Sequence, residues 1–312
     1  VTVLLSVFAL ALGQEKQSWK ALDPEQALYV YKRCYEDHLP AGANKAVYLK
    51  SWNAWKLEPN DTITQCYVEC ALTGLQLYDN RQNKFKPKRV SIQHEAFKTL
   101  NGAKSSEVQQ YREALAKANA GTGSCIDVYN AYVPVHNQFV NLTRKLYHGT
   151  VEGAAKIYAA MPHIKQKGES FFAYCEKRAW NGKNSGEMRQ DRRYKLTESP
   201  ELRQAIDCIF RGLRYMTDGG LKVDEVVRDF NLINKGDLEP EVYSVLAGCR
   251  GRTAYDYYSC LMNSTIKEDF KRAFDFHELR SADYAYLLRG NVYEGPQKVE
   301  EDLKKLNTTV HS

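Results

Sequence analysis

WNAWKLEPNDTITQCYVEC, residues 52–70, places two tryptophans three positions apart and two cysteines four positions apart. Residues four apart lie on one face of a helix, so Cys66 and Cys70 point the same way and do not bond to each other. Each cysteine must therefore bond to a different element of the fold. Trp52 and Trp55 also share a helical face, and this spacing is typical of core residues. The segment is predicted to be a hub that joins several elements.

The beginning of the chain indicates export. Residues 1–14, VTVLLSVFALALGQ, contain an apolar run that is too short to span a membrane and that ends in small residues. This pattern is typical of the apolar and cleavage regions of a signal peptide. We therefore expect residues 1–14 to be a partial signal peptide, and the rest of the chain to be secreted without a membrane segment.

The cysteines predict both the cross-links and the domain organisation. Eight cysteines in an exported chain predict disulfides, and their spacing includes no CxxC pair of the kind that zinc sites use. They fall four and four along the chain, which favours two domains, at 15–165 and 166–312. Their positions are Cys34, Cys66, Cys70 and Cys125, then Cys175, Cys208, Cys249 and Cys260.

Helical patterns dominate the remaining sequence. In LDPEQALYVYKRC, Asp23 suits an N-cap and Pro24 suits the first turn. Leu28, Tyr31 and Tyr35 then recur on one face. No strand-turn-strand series follows, so the predicted fold class is all-α. Further helical segments are SSEVQQYREALAKANAG, SPELRQAIDCIFRGLRYM, LKVDEVVRDFNLIN, EPEVYSVLAGC and STIKEDFKRAFDFHELR.

Several functional classes are not expected. The net charge of +6 is modest and the acidic and basic residues are interspersed, so nucleic acid is not an expected partner. HELRS at 277–281 resembles half of a zinc-protease helix, but Ser281 stands where the second histidine would be. Every cysteine has a candidate disulfide partner, which leaves no thiol nucleophile. We expect no enzymatic activity, no metal and no cofactor.

Six segments together carry a family resemblance: ALDPEQALYVYKRC, WNAWKLEPNDTITQCYVEC, VPVHN at 133–137, IKQKGESFFAYCEK, GLKVDEVVRDFNLINK and AFDFHELRS. The chain resembles the long-form salivary D-seven proteins of mosquitoes, especially the anopheline members. These are two linked domains related to insect odorant-binding proteins, which hold small host mediators without turnover. The resemblance implies two disulfide-stapled helical domains of that kind, with the bonds Cys34–Cys70, Cys66–Cys125, Cys175–Cys208 and Cys249–Cys260.

In this family the amino-terminal domain binds eicosanoids, namely cysteinyl leukotrienes of the C, D and E class and, in some members, thromboxane analogues. Such a lipid needs a narrow apolar tunnel with a cation near one end, and burial contributes roughly 0.8 kcal/mol per methylene. Eight residues are implied for the site: Leu28, Tyr31, Trp52, Trp55 and Phe171 in the wall, Lys165 and Lys167 at the carboxylate, and Tyr67 as a hydroxyl donor.

The same residues have simpler interpretations without the resemblance. Trp52 and Trp55 would be core residues, and Lys167 would be a solvated residue. Tyr67 would be a core tyrosine whose hydroxyl is satisfied by the protein. It is the resemblance, and not the pattern, that favours a ligand site at these positions.

The carboxy-terminal domain offers an alternative function, since several relatives bind serotonin, histamine or catecholamines there. Asp275 and Glu278 stand three apart on one helical face, as in those relatives, and an ammonium group is attracted to carboxylates. Arg192 also falls at a matching position. However, the amine-binding relatives have a histidine where this chain has Ala205, so the predicted amine pocket lacks its imidazole.

Two further alternatives remain. Some long forms of other mosquitoes hold adenine nucleotides between the domains, although here Asp283 would bring the wrong charge to the phosphates, and Ala154 and Ala285 supply no polar group. The other alternative is an interaction protein that contacts a clotting or complement factor through its surface. The candidate nucleotide residues are Tyr158, Lys165, Lys167, Ser281, Tyr284 and Arg289.

The leading expectation is a monomeric scavenger of eicosanoids that is secreted in saliva. It would sequester leukotrienes and thromboxane stoichiometrically, and so reduce platelet aggregation, vasoconstriction and inflammation during blood feeding. Because nothing is turned over, the protein must be present at roughly the concentration of its ligands.

Replacing Tyr67 by phenylalanine tests its predicted role. Tyr67→Phe should weaken a thromboxane analogue much more than a leukotriene, because a hydrogen bond worth about 1 kcal/mol is lost with only one of them. Isothermal titration with both ligands measures the difference. Equal losses for the two ligands would show that the hydroxyl does not select between them.

Overall fold

The computed structural model describes residues 19–42, 44–181, 194 and 196–310, with the backbone alone at 307–310. The predicted signal peptide, residues 1–14, and Arg192 of the predicted amine site lie outside these described residues. The described chain is mostly helical, which confirms the all-α fold class.

The first half is a bundle of helices that begins at the predicted cap. The Asp23 side chain accepts a hydrogen bond from the backbone N–H of Gln26, and the Gln26 side chain accepts one from the backbone N–H of Asp23 in return. This reciprocal arrangement satisfies N–H groups that have no partner within the helix. The helices are α1 (Pro24–His38), α2 (Lys45–Asn53), α3 (Thr62–Gly74), α4 (Pro87–Ala96), α5 (Ser105–Lys117), α6 (Cys125–Leu146) and α7 (Val151–Ala160).

The second half repeats this architecture with side-chain caps at several helix starts. Ser170, Ser199 and Thr253 each accept a hydrogen bond from a backbone N–H in the first turn that follows them. The helices are α8 (Phe171–Ala179), α9 (Pro200–Gly212), α10 (Val223–Leu232), α11 (Glu239–Gly248), α12 (Ala254–Met262), α13 (Lys267–Ala282) and α14 (Pro296–Val310), and short 3₁₀ helices lie at Gly236–Leu238 and Leu287–Arg289.

Each half also contains one very short antiparallel strand pair. β1 (Tyr78–Asp79) pairs with β2 (Lys84–Phe85) between α3 and α4, and β3 (Met216–Thr217) pairs with β4 (Gly220–Leu221) between α9 and α10. The sequence pattern does not predict these strands, because two residues are too few to show alternation. Their equivalent positions are consistent with an internal duplication.

Four disulfides hold the helices together, in the pairs that the resemblance implies. In the first half α3 is bonded twice, once to α1 and once to the start of α6. In the second half one bond joins α8 to α9, and another joins the residue after α11 to α12. The bonds are Cys34–Cys70, Cys66–Cys125, Cys175–Cys208 and Cys249–Cys260.

The two halves have separate aromatic cores and meet along α1. One core is formed from residues within 27–147 and the other from residues within 172–299. Ion pairs cross between them: Arg33 Nη1 lies 2.7 Å from Glu225, and Arg228 Nη2 lies 2.5 Å from Glu36 and 3.9 Å from Asp37. The boundary between residues 165 and 166 stays a prediction. Among the described helices, none has both the length and the apolarity needed to cross a bilayer.

Candidate functional site

An apolar cavity of about 370 Å³ lies within the first half. Its walls come from α1, α2, α3, α6 and α7, and all the residues that line it fall between positions 24 and 167. This volume is within the range of small-molecule pockets, which is roughly 300–1,000 Å³. Ala155 and Lys167 line the cavity and are exposed, so they mark a place where it reaches solvent.

Stacked aromatic rings form one wall of the cavity. Trp52 and Tyr67 stack with ring centroids 4.0 Å apart and ring planes 11° apart. Tyr35, on α1, contacts both of these rings, and its hydroxyl interacts with that of Tyr67. Burial raises the pKa of Tyr67 well above its ordinary value, so its hydroxyl stays protonated at neutral pH. Six predicted lipid-site residues line the cavity: Leu28, Tyr31, Trp52, Trp55, Tyr67 and Lys167.

Trp55 forms a second wall and is fixed by its backbone. Its φ of 60° lies in the left-handed region, which is uncommon for a bulky residue. Nε2 of His136 donates to the Trp55 carbonyl oxygen at 2.8 Å, and the Trp55 ring meets Tyr31 edge-on at 5.3 Å. Gly149 lies directly behind the indole, where an added Cβ would be 2.0 Å from a ring carbon. A side chain at 149 would therefore force the indole to move.

Two lysines among the described residues line the cavity, and the sequence predicted only Lys167. The other is Lys32, which is half-buried and has its ammonium group 4.9 Å from the centroid of the Tyr35 ring. Burial, together with the nearby charge of Arg289, lowers the pKa of Lys32. The spacing of Lys32 from Leu28 and Tyr35 places it on the predicted apolar face of α1, which is the signal that could have identified it.

Lys165 and Phe171, which are also predicted for the lipid site, do not line this cavity. Lys165 is 3% exposed and its Nζ lies 2.5 Å from Glu25 Oε2, so its charge is used within the fold. The Tyr158 hydroxyl donates to the other oxygen of Glu25 at 2.5 Å. Phe171 packs closely against Gly212 in the second half, and its backbone N–H donates to Ser281.

The carboxylates of the predicted amine site already have protein partners. Asp275 accepts a hydrogen bond from the Tyr194 hydroxyl, and the buried Glu278 accepts one from the Ser170 hydroxyl at 3.1 Å. Ala205 is fully buried in the core of the second half. Aromatic rings fill that core around Phe274, including those of Phe172, Phe270 and Phe210, with centroids 4.6, 5.1 and 5.9 Å away.

The candidate nucleotide residues are engaged in contacts between and within the halves. Ser281 accepts from the Phe171 N–H at 3.0 Å, and its own hydroxyl donates to the Glu278 carbonyl at 2.7 Å. Arg289 is ion-paired with Asp283, and Tyr284 packs on Tyr29 with centroids 5.5 Å apart. In the described part of the chain, no group of three or more histidine, cysteine, aspartate or glutamate residues could hold a metal ion.

Disulfide-linked helices around an apolar cavity define a class of all-α protein with an internal pocket. In agreement with this class, the sequence model of the PBP/GOBP family matches residues 158–264. Two curated relatives are long-form salivary proteins: D7L2 of Anopheles gambiae, 70% identical over 99% of this chain and 98% of its own, and D7L1 of Anopheles stephensi, 70% identical over 100% and 99%. The chain belongs to the anopheline long-form salivary D7 proteins, a family without enzymatic activity.

Three solved structures are similar over most of the chain. The crystal structure of the AnSt-D7L1–U46619 complex has a TM-score of 0.90 and 70% identity, and covers 93% of this chain and 98% of that one. The AeD7–leukotriene E4 complex has a TM-score of 0.81 and 33% identity, with coverage of 89% and 96%. Culex quinquefasciatus D7 long form 1 in complex with ADP has a TM-score of 0.83 and 26% identity, with coverage of 94% and 100%.

Removing the charge of Lys165 should affect stability. Lys165→Gln leaves the buried Glu25 carboxylate without its cation, and breaking a buried pair in this way costs roughly 3–5 kcal/mol. Urea unfolding should therefore show a lower free energy of unfolding. Lys167→Gln is the matched control, because Lys167 is exposed and should leave that free energy unchanged. Equal stability of the two variants would contradict the structural role of Lys165.

A side chain at Gly149 should close part of the cavity. Gly149→Ala pushes the Trp55 indole out of its place, and we expect the affinity for the neutral apolar dye N-phenyl-1-naphthylamine to fall several-fold, measured by dye fluorescence. Gly248→Ala is the control, since a Cβ there meets no atom within 4 Å. Unchanged dye binding in Gly149→Ala would show that Trp55 does not shape the cavity.

Proposed function

We propose that this protein is secreted in saliva and binds host eicosanoids, both leukotrienes and thromboxane, in the cavity of the first half. The observation that carries the proposal is the apolar aromatic cavity of about 370 Å³ with two lysines in its lining. Its size suits one flexible lipid, and its cations suit an acid group. Sequestration without turnover would reduce platelet aggregation, vasoconstriction and inflammation at the feeding site.

The balance of energies favours a lipid acid. Burying about ten methylenes contributes roughly 8 kcal/mol at about 0.8 kcal/mol each, which exceeds the cost of fixing several rotatable bonds. A carboxylate in the cavity gains from Lys32 and Lys167, since charge-assisted hydrogen bonds are worth about 1.5–3 kcal/mol. Submicromolar affinity is therefore within reach of this cavity.

The relatives support both ligand classes. One is crystallised with U46619, a thromboxane analogue, and shares 70% of its sequence with this chain. Another, at 33% identity, is crystallised with leukotriene E4. Tyr67 supports the thromboxane class in this chain, because its protonated hydroxyl lies in the cavity wall and can donate to an oxygenated ligand.

Binding of amines in the second half is not favoured. A serotonin ammonium would have to displace Tyr194 from Asp275 and Ser170 from Glu278. It would also have to enter a core in which Phe274 is surrounded by other aromatic rings. Either step costs several kcal/mol of lost hydrogen bonding and packing.

Isothermal titration of the refolded, disulfide-intact protein tests the proposal directly. Leukotriene E4 and U46619 should each saturate near one molecule per chain, and serotonin should give no binding heat. Saturation by serotonin without a signal from either lipid would transfer the function to the second half. Recovery of unaltered lipid after denaturation is the check for the absence of turnover.

A further inference from the structure

Lys32 lines the cavity and is the more buried of its two lysines among the described residues. On α1 its natural partner is Glu36, four residues later, because residues at this spacing face each other. Glu36 is instead ion-paired with Arg228 of the second half, with Arg228 Nη2 at 2.5 Å. Within the described residues, no carboxylate forms an ion pair with Lys32. The contact between the halves thus removes the acid that would otherwise neutralise this lysine.

The three candidate lysines differ in what remains available to a ligand. Lys165 is buried and paired with Glu25, so a ligand could reach it only by breaking that pair. Lys167 lines the cavity but is exposed, where water weakens its attraction for an anion. Lys32 lines the cavity and is half-buried over the Tyr35 ring, so its attraction is screened less. Lys32 is therefore the best-placed cation for an acid inside the cavity.

The second half adds positive charge beside Lys32. The 3₁₀ helix Leu287–Arg289 contacts α1, and Leu288 packs against the core of the first half. Arg289 is close enough for its charge to act on Lys32. Asp283 is ion-paired with Arg289 and compensates part of that charge. An anion bound at Lys32 would relieve the repulsion between the two cations.

We propose that Lys32 holds the acid group of the bound lipid, with Arg289 of the second half reinforcing the positive field. The ligand is then a lipid with an ionised carboxylate, and this carboxylate lies against α1. This inference rests on the proposed lipid-binding function and extends it, because it makes the second half a contributor to recognition in a cavity that the first half builds. Lys167 has a secondary role at the opening.

The test compares a lipid acid with its uncharged methyl ester. U46619 and its methyl ester are titrated into the wild-type protein, and the ratio of their dissociation constants measures the contribution of the carboxylate charge. The variants Lys32→Gln and Lys167→Gln are then measured in the same way. We expect the wild-type ratio to be about tenfold or more in favour of the acid, as one charge-assisted hydrogen bond provides.

Lys32→Gln should bring the ratio near one by weakening binding of the acid far more than binding of the ester, whereas Lys167→Gln should keep most of the ratio. Arg289→Gln should lower the ratio in part, and Asp283→Asn should raise it. An unchanged ratio in Lys32→Gln, or its loss in Lys167→Gln alone, would overturn the inference.

If the proposed lipid-binding function is wrong, the titrations give a different result from a failure of the Lys32 inference. In that case neither the acid nor the ester would bind the wild-type protein, whatever the state of Lys32. A loss of ester binding in Lys32→Gln would also count against the inference, because it would mean that the lysine supports the cavity rather than the charge of the ligand. Urea unfolding of each variant identifies such a structural effect.

Discussion

The attachment of one helix to two others by disulfides is the constraint on which the cavity depends. Helix α3 is bonded to α1 through Cys34–Cys70 and to α6 through Cys66–Cys125. The same three helices provide much of the cavity wall. A disulfide typically adds about 2–4 kcal/mol of stability, chiefly by restricting the unfolded chain in the usual account. That stability offsets the packing contacts that the protein loses by keeping a cavity open instead of filling it with side chains.

The contact between the halves decides which charges face the cavity. Glu25 is bonded to Lys165 and Tyr158, and Glu36 is bonded to Arg228. These two acids of α1 therefore already have partners and do not pair with Lys32. In the proposal, the second half acts on the cavity mainly through charge, since all the lining residues except Lys167 precede residue 166. Its own interior is filled by aromatic rings, and its acidic pair is satisfied by hydroxyl donors. In the proposal, the first half supplies most of the space and the second half adds to the positive field.

The local part of the structure could be predicted from the sequence. Asp23 and Pro24 identify the start of α1, and the spacing of Cys66 from Cys70 shows that they bond to different elements. The role of Trp52 and Trp55 in a cavity wall could not be predicted from spacing alone, because the same spacing describes a filled core. Only the family resemblance favoured the cavity.

The buried ion pair of Lys165 could not be predicted from the sequence. Its partner Glu25 is 140 residues away in the sequence, and no local pattern indicates such a pair. Lys32 was missed for the related reason that a lysine four residues before a glutamate is expected to be paired on the helix surface. The pairing of Glu36 with Arg228 is set by tertiary contacts, so it becomes visible only in the folded chain.

We propose that one cavity in the first half binds both lipid classes, so the two lipids should compete in a titration. The protein is first saturated with leukotriene E4, and U46619 is then titrated by calorimetry. We expect U46619 to bind only by displacing the leukotriene, with an apparent affinity that falls in proportion to the leukotriene concentration. Saturation by U46619 at its full affinity, with the leukotriene still bound, would place the two lipids in separate sites and contradict the claim.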